Sequence, residues 1–219
     1  TLPYFLETGQ NLIKDMVDED LISLPSDKIT DLLAEDIRTM PYFRNLLLLD
    51  GEGQQLADYP PGSLSLSQLS MEEEVGIDLA EKGVAVQVYA ISPSPGENSA
   101  QFTFIAAIES DQDEVVGVML GRSDLNTNPF TQPVIQVFEN VKSLGGEGLI
   151  LDENNRVLYH TSRSLVMTEY FSDIPENNVC IDEISATGSR QIACYQRVDG
   201  RPWTIVLTLP ADFTQQPAL

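Results

Sequence analysis

Residues 146–162, GEGLILDENNRVLYHTS, hold two short apolar runs around a turn. Leu149, Ile150 and Leu151 end on Asp152; Asn155 follows, and the apolar rhythm resumes at Val157, Leu158 and Tyr159. An apolar run, a turn rich in Asp and Asn, and a second apolar run read as a β-hairpin. The same pattern stands earlier, in YFRNLLLLDGEGQQLADYP at 42–60. At an offset of 102, which sets Asp152 on Asp50, Leu47-Leu48-Leu49 meets Leu149-Ile150-Leu151 and Gly53 meets Asn155. Gly and Asn are the residues that most readily take positive φ, so both turns can share one left-handed position. The repeat predicts two homologous modules.

The rest of the chain falls around these hairpins. Upstream, Leu2, Phe5, Leu6, Leu12, Ile13, Met16, Val17 and Leu21 recur at helical spacing. After Pro25, with Ser26 as the expected cap, Ile29, Leu32, Leu33, Ile37 and Met40 form a second stripe that Pro41 stops. Between the hairpins, 64–82 reads as helix or loop, and strands are expected at 84–91, 102–109 and 115–122. A helix over 130–144 follows, ended by Gly145-Gly146. Beyond the second hairpin, strands are expected at 179–184, 191–197 and 203–209. Each half thus runs hairpin, irregular segment, three strands, which is an α+β architecture with two five-stranded antiparallel sheets.

Composition restricts function. The 219 residues fit one large or two small domains at roughly 100–150 residues each. Hydrophobic residues make up 42%, enough for a packed core. Lys and Arg number 12 against 34 Asp and Glu, a formal charge of −22 that repels phosphate backbones and anionic lipid, so no nucleic-acid partner is expected. A single histidine, His160, removes most His-based catalysis and nearly every zinc site. No glycine-rich phosphate loop occurs. A hydrolase reading lacks a nucleophile–base pair, and no enzyme activity, cofactor or metal is expected. The acidic clusters Glu72–Glu74 and 109–114 do not fit the calcium-loop spacing and read as solvated faces. His160 reads as a surface or partly packed residue, and Trp203 as a core or lid aromatic. The sequence opens at Thr1 inside an amphipathic pattern, from which an excised piece of a longer protein is expected.

Cys180 and Cys194 lie in a hairpin with the three-residue turn Ala186-Thr187-Gly188. In that register paired residue numbers sum to 374, which sets the cysteines opposite each other, ready for a disulfide; the alternative is two small buried thiols. A bridge suits an oxidising compartment.

With the long first helix, the two hairpin stretches and the closing DGRPWTIVLTLP at 199–210, the chain resembles the double Cache family, tandem PAS-like sensor regions of bacterial receptors. The resemblance implies a helical segment 1–40, a membrane-distal module 41–125, a linker helix 126–144 and a membrane-proximal module 145–219. It implies an extracytoplasmic part of a cell-membrane protein, with a small-molecule ligand bound in the distal module. Flanking transmembrane helices, a cytoplasmic output domain and a homodimer through the N-terminal helix are the implied partners. A ligand-free structural or dimerisation ectodomain is the alternative.

The resemblance places the ligand between the distal sheet and residues 64–101, with Tyr89, Phe102, Phe104 and Arg122 as candidate wall residues. In the amino-acid-binding branch an aspartate stands near the place of Arg122 and grips the ammonium. That branch also carries an Arg-x-Trp element, and here no tryptophan precedes Trp203. A guanidinium there reverses the preferred charge and points to a small carboxylate or similar anion. A solvated surface arginine is the alternative.

Overall fold

The computed structural model describes residues 2–185, 188–200 and 202–212. Two amphipathic helices open the chain, α1 (Leu2–Asp15) and α2 (Ser26–Thr39). The first stripe stops short of Leu21 because Asp18 turns to extended backbone, φ −145°. Its carboxylate accepts the Asp20 N–H at 2.9 Å and starts a separate 3-10 turn, Glu19–Ser23. The cap of α2 is Pro25, not Ser26. Ser26 is already helical, and its hydroxyl donates to the Leu56 carbonyl at 2.7 Å.

The strands form two sheets. The first holds β1 (Asn45–Asp50), β2 (Gln55–Tyr59), β3 (Val86–Ile91), β4 (Gln101–Glu109) and β5 (Val115–Asp124) in the order β2-β1-β5-β4-β3. The second holds β6 (Glu147–Leu151), β7 (Val157–His160), β8 (Val179–Ile184), β9 (Arg190–Arg197) and β10 (Thr204–Pro210) in the order β7-β6-β10-β9-β8. All pairings are antiparallel. Two further α-helices follow, α3 (Met71–Glu81) in the segment read as helix or loop and α4 (Gln132–Ser143), with short 3-10 turns at Leu66–Gln68 and Arg163–Leu165.

Contacts divide the chain into two compact units. One gathers 4–91 and 101–129 around the first sheet; the other gathers 2–3, 92–100 and the described residues between 130 and 212 around the second. Residues 92–100 extend the second sheet at its β7 edge: the Ala100 N–H donates to the Leu158 carbonyl at 2.6 Å, and Ser99 bridges Tyr159.

In the first unit β4 is buried on both faces except at Glu109. One face packs the Phe5 ring of α1 against Phe102 and Phe104, with ring centres 5.3 and 6.0 Å away. Gly9 permits that approach, since a Cβ there would lie 2.3 Å from the Phe104 ring. On the other face Leu47, Leu49, Ile105, Val118 and Leu120 meet Leu64 and the α3 residues Ile77 and Ala80. In the second unit Leu149, Leu151, Val157, Ala193, Tyr195 and Val206 form the corresponding cluster, with Tyr170 and Ile174 packed on it.

Cys180 faces Cys194 across β8 and β9, and a disulfide joins them. Of the turn between these strands, Gly188 has φ +83°, while Ala186 and Thr187 lie outside the described residues. His160, expected as a surface or partly packed residue, is packed in, at 4% exposure, because it ends β7, the strand whose outer edge residues 92–100 cover. Trp203 is buried in the same unit.

Candidate functional site

The candidate site is a row of side chains on the α3 face of the first sheet. Antiparallel register sets Tyr89 opposite Thr103 and Thr103 opposite Arg122, so the three share one face. Phe102 and Phe104 alternate to the other face, against Phe5. The structure therefore brings Tyr89 and Arg122 together and sets the two phenylalanines apart, in the core beneath α1.

Arg122 is not a solvated arginine. Its side chain is 13% exposed and meets Glu73 of α3, which is fully buried. The guanidinium Nε donates to Glu73 Oε1 at 2.7 Å and Nη2 to Oε2 at 2.6 Å, the two-pronged geometry that a lysine lacks. Nη2 also donates to the Gln68 carbonyl at 3.1 Å. Glu73 does not belong to the solvated face expected of the Glu72–Glu74 cluster: it is the inward-facing member, and Glu72 and Glu74 are exposed.

Local sequence puts Glu73 there. Ser70 caps α3, with its Oγ accepting the Glu73 N–H at 3.3 Å, and Glu73 Oε2 accepts the Ser70 N–H at 2.8 Å. This reciprocal pair is a capping box, and it fixes the carboxylate at the helix entrance, where the dipole favours negative charge. A second box, Ser65 with Gln68, shapes the short 3-10 turn Leu66–Gln68 that lies over the guanidinium.

The other end of the row is also held to α3. The Tyr89 hydroxyl donates to Gln87 Oε1 at 2.6 Å, and the Gln87 amide donates to the Gly76 carbonyl at 2.9 Å. A Cβ on Gly76 would stand 2.7 Å from the Tyr89 ring, so glycine is what lets α3 lie this close. Burial raises the Tyr89 phenol above its ordinary pKa, so it stays a donor near neutral pH. Between these two anchors Thr103 is fully buried, and its hydroxyl has no hydrogen-bond partner among the described residues.

The sequence reading missed Glu73, Gln87, Gly76 and Thr103. Only Glu73 left a trace, the Ser-x-x-Glu spacing from Ser70. Burial and cross-strand register, which pick out the others, are not written in local spacing.

Clefts among the described residues lie elsewhere. In the second unit a cavity of about 640 Å³ is walled by Val134, Val137 and Phe138 of α4, the Cys180–Cys194 bridge, Ile205 and Leu207. In the first unit a cleft of about 250 Å³ runs between α1 and α2, with Asp15 and Asp36 at its rim. Partial burial and the neighbouring Glu35 raise the Asp36 carboxyl above its usual range. No group of three or more His, Cys, Asp or Glu among the described residues is placed to hold a metal ion. No described helix is long and apolar enough to cross a membrane.

Two antiparallel five-stranded sheets of matching strand order, with helices packed on them, make a double PAS-like fold. The sequence pattern of the Cache domain matches residues 4–218, and the chain belongs to that family. Domains of this kind are the periplasmic or extracellular sensory parts of membrane receptors, and that is the compartment of this one. No curated protein matches the sequence. Among solved structures, the ligand-binding domain of the Pseudomonas aeruginosa amino-acid chemoreceptor PctC, in complex with GABA, is similar at 16% identity. That alignment covers 95% of this chain and 92% of that one, with a TM-score of 0.65. The ligand-binding domain of the Pseudomonas fluorescens chemoreceptor CtaA, in complex with L-isoleucine, aligns at 17% identity over 96% and 87%, TM-score 0.63. The periplasmic sensory domain of the Campylobacter jejuni chemoreceptor Tlp1 aligns at 15% identity over 99% and 95%, TM-score 0.59.

Proposed function

We propose that the first unit is the ligand-binding, membrane-distal module and that it senses a small carboxylate or similar anion on Arg122. The observation that carries this reading is the row itself: a nearly buried guanidinium in two-pronged contact with a carboxylate, beside a buried hydroxyl without a partner. Such a row presents a cation and a spare polar atom to a carboxylate, and Tyr89 adds an aromatic wall. In the parent receptor, flanking transmembrane helices carry the change in this module to a cytoplasmic output, with two copies paired through the N-terminal helix. The reading assigns the chain no reaction and no cofactor. The ligands named for the neighbours, GABA and isoleucine, each carry a carboxylate and an amine. At 16–17% identity they describe a shared fold, so the charge preference here is argued from Arg122.

The test is a thermal-shift panel of carboxylates, amino acids and amines. A carboxylate at 100 dissociation constants should stabilise the protein by about 2.7 kcal/mol. Arg122→Lys keeps a cation for Glu73 but loses the two-pronged geometry, and it should remove the response. A panel in which only amines shift the protein sinks the anion reading. A panel in which nothing shifts it leaves the ligand-free ectodomain.

A further inference from the structure

We propose that Glu73 is the protein's own competitor for this site, holding the position of the ligand carboxylate until a short unbranched carboxylate displaces it. The inference rests on the ligand reading above and adds the shape of the ligand and the segment that must move.

Glu73 presents two methylenes and a carboxylate to Arg122, and every oxygen of that carboxylate is used: Oε1 by Nε, Oε2 by Nη2 and by the Ser70 N–H. That is how a propionate-like ion would be held. Packing alone does not call for the arrangement, because a buried ion pair returns little net stability compared with apolar side chains of the same volume. An apolar contact at this point of α3 would hold the helix as well, as Ile77 and Ala80 already do one turn and two turns further on. The Thr103 hydroxyl gives the second, independent indication. It is fully buried on the same cross-strand row as Arg122, and Glu73 leaves it unpaired. A buried unpaired hydroxyl is costly, and a ligand carboxylate seated deeper on the row would satisfy it.

The exchange has a definite mechanical consequence. Glu73 stands in the first turn of α3, and Gln68 covers the guanidinium from the 3-10 turn just before it. An incoming carboxylate must push Glu73 outward, which frees the Ser70 N–H and loosens residues 65–73 from the sheet. Gly76 and Gln87 keep the rest of α3 seated, since their contacts lie beyond the first turn. The tethered carboxylate acts at high local concentration, so the apparent affinity for a free one is lowered by the fraction of time the site stands open.

The experiment titrates propionate, butyrate and succinate, with propionamide as the uncharged control, into the wild type, Glu73→Gln and Arg122→Lys, reading binding by calorimetry. Glu73→Gln keeps the shape and removes the charge, so it should bind propionate at least about tenfold more tightly than the wild type. Propionamide should gain nothing. Adding Thr103→Val to Glu73→Gln should weaken propionate several-fold while the unliganded melting temperature holds or rises, because the hydroxyl has no partner to lose. If Glu73→Gln proves too unstable to titrate, Glu73→Asp, which withdraws the charge by one methylene, should bind between the two. Wild type that binds carboxylates through Arg122, with Glu73→Gln or Glu73→Asp no tighter, overturns the competitor and leaves the ligand reading standing. Absence of carboxylate binding in the wild type and the Glu73 variants alike removes both.

Discussion

The two sheets share one plan and are closed in different ways. Their hairpins match residue for residue at the offset of 102: Leu47 pairs Asp58 as Leu149 pairs His160, and the register slips after Leu48 as it does after Ile150. Asp50 Oδ1 accepts the N–H groups of Glu52 and Gln54 at 2.9 and 2.8 Å. Asp152 Oδ1 accepts those of Asn154 and Arg156 at the same distances. Gly53 has φ +73° and Asn155 φ +60°. Away from the hairpins the sheets part. The first has α3 laid over one face, tied down by a buried ion pair. In the second, residues 161–178 lay a short 3-10 turn and irregular chain where the first has α3. Its outer strand β8 is largely exposed and is stapled by the disulfide and by the exposed Asp182–Arg190 pair. The same topology thus admits either a helix laid over one sheet face or a covalent staple across the outer strands.

Arg122→Ala should break the comparison most severely. It leaves the Glu73 carboxylate buried and unpaired, a loss of about 3–5 kcal/mol. Urea unfolding should show it, and a loss under about 1 kcal/mol would mean that water reaches the carboxylate. Next in size is the staple. Replacing both Cys180 and Cys194 by alanine should cost about 3 kcal/mol in the chain-entropy account. Hydrogen exchange should rise in β8 and β9 first and leave β3–β5 protected. Equal loss of protection in both sheets would show that the units unfold together.

The paired turns give a finer test. Asp152 makes two backbone contacts and a 2.9 Å ion pair with Arg156, whereas Asp50 makes only the backbone contacts among those described. Asp152→Ala should cost about 2–3 kcal/mol and Asp50→Ala about 1–2. The reverse order would deny the turns their common role. A smaller effect follows acid. Burial lowers the pKa of His160 below its ordinary 6.5, so the unfolded chain binds the proton more readily than the folded one. Stability of the second unit should be constant above about pH 6.5 and fall as pH drops below it. His160→Gln should flatten that slope, and a melting curve unchanged by the substitution would show that the imidazole is neutral to folding. Smallest of all, exchanging Gly53→Asn and Asn155→Gly should shift melting by less than about 0.5 kcal/mol. A larger loss at either turn would show that the left-handed position is not shared.

Much of the fold was legible because hairpins are local. Apolar alternation, Asp at the turn entry and a residue tolerant of positive φ all fall within a few residues, and repetition at 102 doubled the signal. The Cys180–Cys194 register followed from the same short-range arithmetic. The site was less open to reading. Tyr89 and Arg122 came from the family resemblance laid over expected strands, and Phe102 and Phe104, two residues apart, carry no mark of which face they take.

The sequence by itself determined the two sheets, the order of their strands and part of the chemistry within reach: one arginine at a strand exit and two cysteines in register. Only the tertiary structure decided that the glutamate three residues after Ser70 points inward and is buried, and that it meets Arg122, 49 positions along the chain. Helix capping fixes a backbone over one turn, whereas a buried ion pair depends on which helix face meets which sheet row. That choice is made by the apolar residues around it, Ile77, Ala80, Ile105 and Leu120, acting together across the fold.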